Sequence, residues 1–213
     1  MNWTFVYLWV GGNFILTHQF IWLQKMTMKK FALIILSSAF ALNLLAQNSD
    51  PTKTSIGTAT VVHTTEINAA AKIGKGLAVA DSVLRVVSIE GKYNVGVSVV
   101  SRSKINGKTP PDAIVHDVVT EVYHIIEGNG ILLVGGTLDS AVKIPANNPI
   151  VLKITGPSSR GKHIKGGTQY EVGPGDIIII PPNTPHGFIE LKTNTIVYTL
   201  IRIDNDKVLE LKN

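Results

Sequence analysis

The chain contains no cysteine. That absence excludes a disulfide scaffold, thiolate-bound zinc, iron–sulfur clusters, a thiol nucleophile and a lipid anchor on an N-terminal Cys. Aromatic residues are few and unevenly spread: beyond residue 46 only Tyr93, Tyr123, Tyr170, Phe188 and Tyr198 remain, and all three tryptophans precede residue 23. No Gly-x-Ser-x-Gly elbow, His-Glu-x-x-His pair or dinucleotide Gly-x-Gly-x-x-Gly in a βαβ setting occurs, so serine hydrolase, zincin and Rossmann chemistry have no signature here. Internal repeats and heptads are missing too.

What is present is 213 residues with a net charge of +5 and a mean hydropathy of +0.23, enough for one domain or two small ones. Much of the basic and apolar excess sits at the N-terminus. Met28-Lys29-Lys30, the apolar run Phe31–Leu45 and the polar start after Ala46 have the layout of a secretory signal peptide over 28–46, cleaved after Ala46. The run is shorter than the ~20 residues of a spanning helix, although an uncleaved leader would act as a membrane anchor. Residues 1–27 then read as an extension upstream of the true start, or alternatively as a membrane segment from Trp3 to Leu23. Without 1–46, 17 Lys+Arg face 15 Asp+Glu, a balance of +2. No basic cluster with interleaved aromatics remains, and nucleic acid is not an expected partner. The expected location is periplasmic or secreted.

The remaining chain divides into a polar tether over 47–60, an arm over 61–82 and one β domain over 83–213. The arm carries one short helix, capped by Thr64 or Thr65, running through Glu66–Ile73 and stopped by Gly74. The β domain shows short β-branched runs between Gly, Pro and Asn punctuation. Strands are expected at Val83–Ile89, Tyr93–Arg102, Glu121–Ile126, Ile131–Val134, Val151–Thr155, Gln169–Val172, Ile177–Ile180, His186–Leu191 and Ile196–Ile203, with Val208–Leu211 as a further edge strand. Glu127-Gly128-Asn129-Gly130 reads as a hairpin turn. The basic stretch Thr155–Gly167 reads as a loop too polar to pack: either a lid that draws an anion with Arg160, Lys162 or Lys165, or a solvated connection.

Two segments carry candidate chemistry. The first holds His116, Glu121, Tyr123 and Gly128; the second holds Gly175, Pro181, Asn183, Pro185 and His186. An inward carboxylate at Glu121 in an apolar barrel would be costly without a cation. In a regular strand, residues five apart face opposite sides, so His116 and Glu121 share an interior only if a bulge separates them; without one, Asp117 turns inward and His116 joins the face of His124. Tyr123, two after Glu121, points the same way and is either a substrate-binding or proton-donating hydroxyl or a core tyrosine. Phe188 is expected in the pocket wall, and His63 and His124 outside the site.

These segments resemble the two signature motifs of the cupin superfamily. His116, four residues, Glu121, six residues and Gly128 match the tail of the first; Gly175, Pro181 and His186 match the second, with Asn183 where Gly is common. Ile114 stands where the first motif usually has another His. Thr120–Gly128 is similar to the first motif of small, single-domain exported bacterial members. The resemblance implies an all-β double-stranded β-helix, or jelly-roll barrel, often paired as a homodimer. It also implies that His116, Glu121 and His186 hold a divalent metal such as Fe, Mn, Ni or Zn. The expected activity is a metal-dependent oxygenase or isomerase acting on a small oxygen-bearing organic molecule. The alternative is a non-catalytic module that binds a sugar or aromatic beside a degenerate metal site.

Overall fold

The computed structural model describes residues 58–213 and, near the N-terminus, the backbone of Trp9–Val10 (β1) and Asn13–Phe14 (β2), which pair antiparallel. Apart from that hairpin, the segments 1–27 and 28–46, and the tether up to residue 57, lie outside the described residues. Among those described, no helix is long and apolar enough to cross a membrane.

The one α-helix, α1, spans Thr64–Gly74. Its N-cap is His63 rather than a threonine, and Glu66 reaches back to accept the His63 N–H at 3.1 Å, one half of a capping box. Ala70, with Ile67 and Ala71 beside it, packs on Val99, Val197 and Leu84, which supplies the stability that so short a helix lacks alone. Gly74 ends the helix against the side chains of Ser101 and Ala80, where a Cβ would sit 2.5 Å from that of Ser101.

Val79–Ile89 (β3) and Tyr93–Ser103 (β4) form a long hairpin. The chain then crosses through Ile114–His116 (β5), Val119–Glu127 (β6) and Gly130–Val134 (β7). Short strands Thr137–Leu138 (β8), Val142–Lys143 (β9), Ser158–Arg160 (β10) and Ile164–Lys165 (β11) follow. Thr168–Val172 (β12), Ile177–Ile180 (β13), His186–Leu191 (β14) and Thr195–Asp204 (β15) complete the set. Two large antiparallel sheets result, ordered β13-β6-β15-β4-β3 and β12-β7-β14-β5-β10-β9, while β8 and β11 pair as a small two-stranded sheet. Pairs β4 with β15, β5 with β14, β6 with β13 and β7 with β12 show a ribbon folded back on itself and wound across both sheets. That is a double-stranded β-helix.

Alternation sets the core. Val119, Glu121, Tyr123 and Ile125 of β6 are buried in turn, with His124 exposed between the last two. Tyr123, Ile125, Leu132, Ile180, Phe188 and Tyr198 lie in the main apolar core.

Several sequence expectations need correction. Glu127–Gly130 is not a hairpin turn, because β6 and β7 belong to different sheets; it is the corner where the chain changes sheet. Gly128 takes φ 82° there, and a Cβ would meet the Thr195 carbonyl at 2.1 Å. Val151–Thr155 is a π-helical turn rather than a strand. Asn148 starts it by accepting the Ile150 N–H on its side chain and those of Val151 and Leu152 on its carbonyl. Val208–Leu211 forms no strand; Asp204 instead ties down the N–H groups of Val208 and Leu209. The stretch Thr155–Gly167 does pack, since it contains β10 and β11 and buries Ser158 completely. Finally, β3 begins at Val79, within the stretch assigned to the arm.

Candidate metal centre

His116 ends β5, the backbone bends at Asp117-Val118, and β6 starts at Val119. This break does the work of a bulge: His116 and Glu121 face the same interior. Asp117 turns outward and pairs with Lys143, so the inward alternative for Asp117 does not occur.

His186 enters from the other motif. The turn after β13 runs through Pro181-Pro182-Asn183-Thr184-Pro185, with Asn183 at φ 58°, the left-handed geometry that Asn tolerates in place of Gly. The Asn183 N–H donates to the His116 carbonyl at 2.7 Å, which ties one motif's turn to the other motif's histidine. Gly187 lets β14 approach so closely that a Cβ would lie 1.9 Å from the Asp112 carbonyl.

Three buried side chains therefore converge. One Glu121 oxygen lies 3.3 Å from His116 Nε2, and the other 3.3 Å from His186 Nε2. The imidazole centroids are 5.3 Å apart. Ligand atoms of all three residues fall within 4.8 Å of one another.

The outer contacts fix the imidazole tautomers. His116 Nδ1 donates to the Thr155 carbonyl at 2.9 Å, and Ser158 Oγ lies 2.8 Å from the same nitrogen. His186 Nδ1 donates to the Thr184 carbonyl at 2.9 Å. A carbonyl only accepts, so each Nδ1 carries hydrogen, and each ring, when neutral, turns its Nε2 lone pair toward Glu121. Lone pairs facing a carboxylate repel unless a proton or a cation lies between them. His186 Nε2 is buried with no hydrogen-bond partner, despite its distance to Glu121. Donors about 2.1 Å from an ion and at right angles lie roughly 3 Å apart, so the 3.3 Å separations suit a shared divalent ion. The residues present fit such a group.

Glu121 is oriented by two further side chains. Arg202 Nε donates to Oε1 at 3.1 Å and the Tyr123 hydroxyl to Oε2 at 3.0 Å. Arg202 stands directly across from Glu121 in the β6–β15 register, and its other nitrogens donate to Ser98 at 2.9 Å and Asp81 at 2.5 Å. Burial alone would raise the Glu121 pKa, but the Arg202 guanidinium and His116 in its protonated form outweigh it and hold the carboxyl well below the ordinary range. For His186, burial works against the charged form, yet the Glu121 carboxylate beside it raises the pKa overall. Tyr123 is pushed well above its usual value by burial and then by the Glu121 charge. Tyr198, stacked on Tyr123 at 4.4 Å, is pushed up to about 12, chiefly by burial.

The triad opens into a cavity of about 370 Å³ between the sheets. Arg102, Asp112 and Arg160 line it, with Val100, Ile114 and Leu200 among its apolar walls. Arg102 is held by Asp112 at 2.8 Å and by the Tyr198 hydroxyl, to which its Nε donates at 2.9 Å.

All four singled-out residues, His116, Glu121, Tyr123 and His186, meet at this cavity. Phe188 does not line it; its ring lies in the core, 5.8 Å beneath the Arg102 guanidinium. Sequence reasoning missed Arg202, Arg102, Asp112 and Ser158. Arg202 had a signal: it continues the inward alternation of Tyr198 and Leu200, in a strand that, apart from its terminal Asp204, is otherwise made of apolar residues, Thr and Tyr.

Residues 160–212, which include the second motif and β15, match the AraC-like ligand binding domain family. No match is found among the curated proteins. Among solved structures, the chain is similar to the BH2720 protein of Bacillus halodurans at 15% identity and a TM-score of 0.41, covering 71% of this chain and 86% of that one. It is also similar to the EutQ protein of Clostridium difficile at 11% identity and a TM-score of 0.33, covering 60% and 69%. The strands wound as a double-stranded β-helix and the two motifs meeting in one cavity are the arrangement that the resemblance to cupins implies, and the C-terminal part is similar to a ligand-binding family.

Proposed function

We propose that the protein binds one divalent metal ion through His116, Glu121 and His186 and, beside it, a small oxygen-bearing organic ligand. The observation that carries this reading is the pair of Nε2 atoms aimed at one buried carboxylate, with each Nδ1 committed to a carbonyl. Fe(II), Mn(II), Ni(II) and Zn(II) all accept two imidazoles and a carboxylate, with open positions for ligand oxygens. A metal in this place supplies Lewis-acid polarisation of those oxygens and, if it is iron, access to dioxygen chemistry.

The chain's own residues supply the rest. Arg202 and Tyr123 keep the Glu121 carboxylate in one orientation. Tyr123 holds its proton firmly and serves as a hydrogen-bond donor in the cavity. Val100, Ile114 and Leu200 exclude water from the ligand's apolar part. An oxygenase or isomerase is the activity class these features suit. Elemental analysis of the purified protein and of His186→Ala tests the assignment: about one equivalent in the first and a strong loss in the second is expected. Protein free of metal, or undiminished metal in the variant, contradicts it.

A second reading is a binding module that works without metal. It is favoured by Arg202, which already neutralises Glu121, and by Ile114 in place of the usual additional histidine. Ligand binding that survives chelator treatment, with no turnover, would establish it. For either reading, the basic pair Lys29-Lys30 and the run Phe31–Leu45 support work outside the cytoplasm, and N-terminal sequencing of exported protein should begin at Gln47.

A further inference from the structure

Three guanidinium groups and three carboxylates line the cavity: Arg102, Arg160 and Arg202 with Asp81, Asp112 and Glu121. Their pairing is uneven. Arg202 binds both Asp81 and Glu121, and Arg102 binds Asp112. Arg160 is left with no carboxylate partner among the described residues.

The position of Arg160 gives that free charge a use. It lies on β10 two residues after Ser158, so the two side chains leave the same face of the strand. Ser158 is fully buried against His116, whereas Arg160 is exposed and still lines the cavity. One face of one strand therefore runs from the inner wall of the triad to an exposed cation. In register, Ser158 stands opposite His116 and Arg160 opposite Ile114, a second residue of the cavity wall.

Counting Arg160, the three guanidinium groups and three carboxylates of the lining balance, so an added divalent ion gives the cavity a surplus of positive charge. A neutral sugar or plain aromatic would leave that surplus uncompensated and Arg160 without a function. We propose that the ligand is a small organic anion: one end places oxygens at the triad, and a carboxylate at the other end is held by Arg160. Arg160 is then a specificity-determining residue, and its planar fork suits a carboxylate better than a point charge does. This deepens the metal-dependent reading above and rests on it for the triad end only.

The dicarboxylates malonate, succinate, glutarate and adipate, with their diamides as neutral counterparts, serve as probes. Binding is measured by calorimetry on the full-length protein, before and after chelator treatment, with metal content measured in parallel. At least one dianion should bind the metal-loaded protein about tenfold or more tightly than its diamide. Arg160→Gln should lose about tenfold in that affinity while keeping its metal, its thermal stability and its affinity for the diamide, and Arg160→Lys should recover part of the loss. Failure of all four dianions to bind, diamides binding as tightly as the acids, or affinity in Arg160→Gln within twofold of the unaltered protein would overturn the proposal. Anion binding that depends on Arg160 but persists without metal would sink the metal reading and leave Arg160's role standing.

Discussion

Arg202 is the residue on which the buried charges of the site depend. It is almost fully enclosed, and its three nitrogens reach Glu121, Asp81 and Ser98. Replacing it with Met would leave Glu121 with a weaker set of partners and Asp81 without its cation. Removing one member of a buried pair costs about 3–5 kcal/mol, because the other charge stays desolvated. Urea unfolding of Arg202→Met should show a loss of that order, whereas breaking the exposed Lys92–Glu90 pair should cost less than about 1 kcal/mol. Ser158 acts more quietly. It touches no ligand atom but braces His116 Nδ1, so Ser158→Ala should fold normally and still bind metal about tenfold more weakly in competition with a chelator. Unchanged affinity would mean that the Thr155 carbonyl alone positions the ring.

Strands and turns differ in how much of their stability is local. At the corner between β6 and β7, Gly128 meets both a positive φ and a backbone contact, so Gly128→Ala should destabilise by well over about 1 kcal/mol. Gly91→Ala, also at positive φ but facing open space, should cost only about 1 kcal/mol, and chemical denaturation compares the two directly. The same distinction separates what was legible in the sequence from what was not. β13 and β14 were readable to the residue, because the Ile run and the Pro-rich turn bound them on chemical grounds. β5 and β10 were not, since each is three residues long and owes its form to neighbours distant in the chain. The apolar run Val151–Thr155 suits a strand or a helix equally, and the deciding signal lay in Asn148 before it. The metal-ligand candidates were legible through their motif spacing. Whether His116 or Asp117 faced inward was decided by a break in pairing that no local pattern marks.

At the scale of the whole molecule, the winding of the ribbon explains why the site exists. β5 and β14 pair within the six-stranded sheet, which brings His116 and His186 together from positions far apart in sequence. Glu121 and Arg202 face them from β6 and β15 of the five-stranded sheet. A metal ion held by all three ligands would therefore link the two sheets across the cavity, at the place where buried lone pairs otherwise oppose a carboxylate. X-ray absorption at the metal edge of the Zn(II)-loaded protein reads that arrangement directly. The account predicts a first shell of nitrogen and oxygen with outer-shell scattering from two imidazoles per metal, falling to one in His186→Ala. A shell of oxygen alone, or scattering unchanged in the variant, would contradict it.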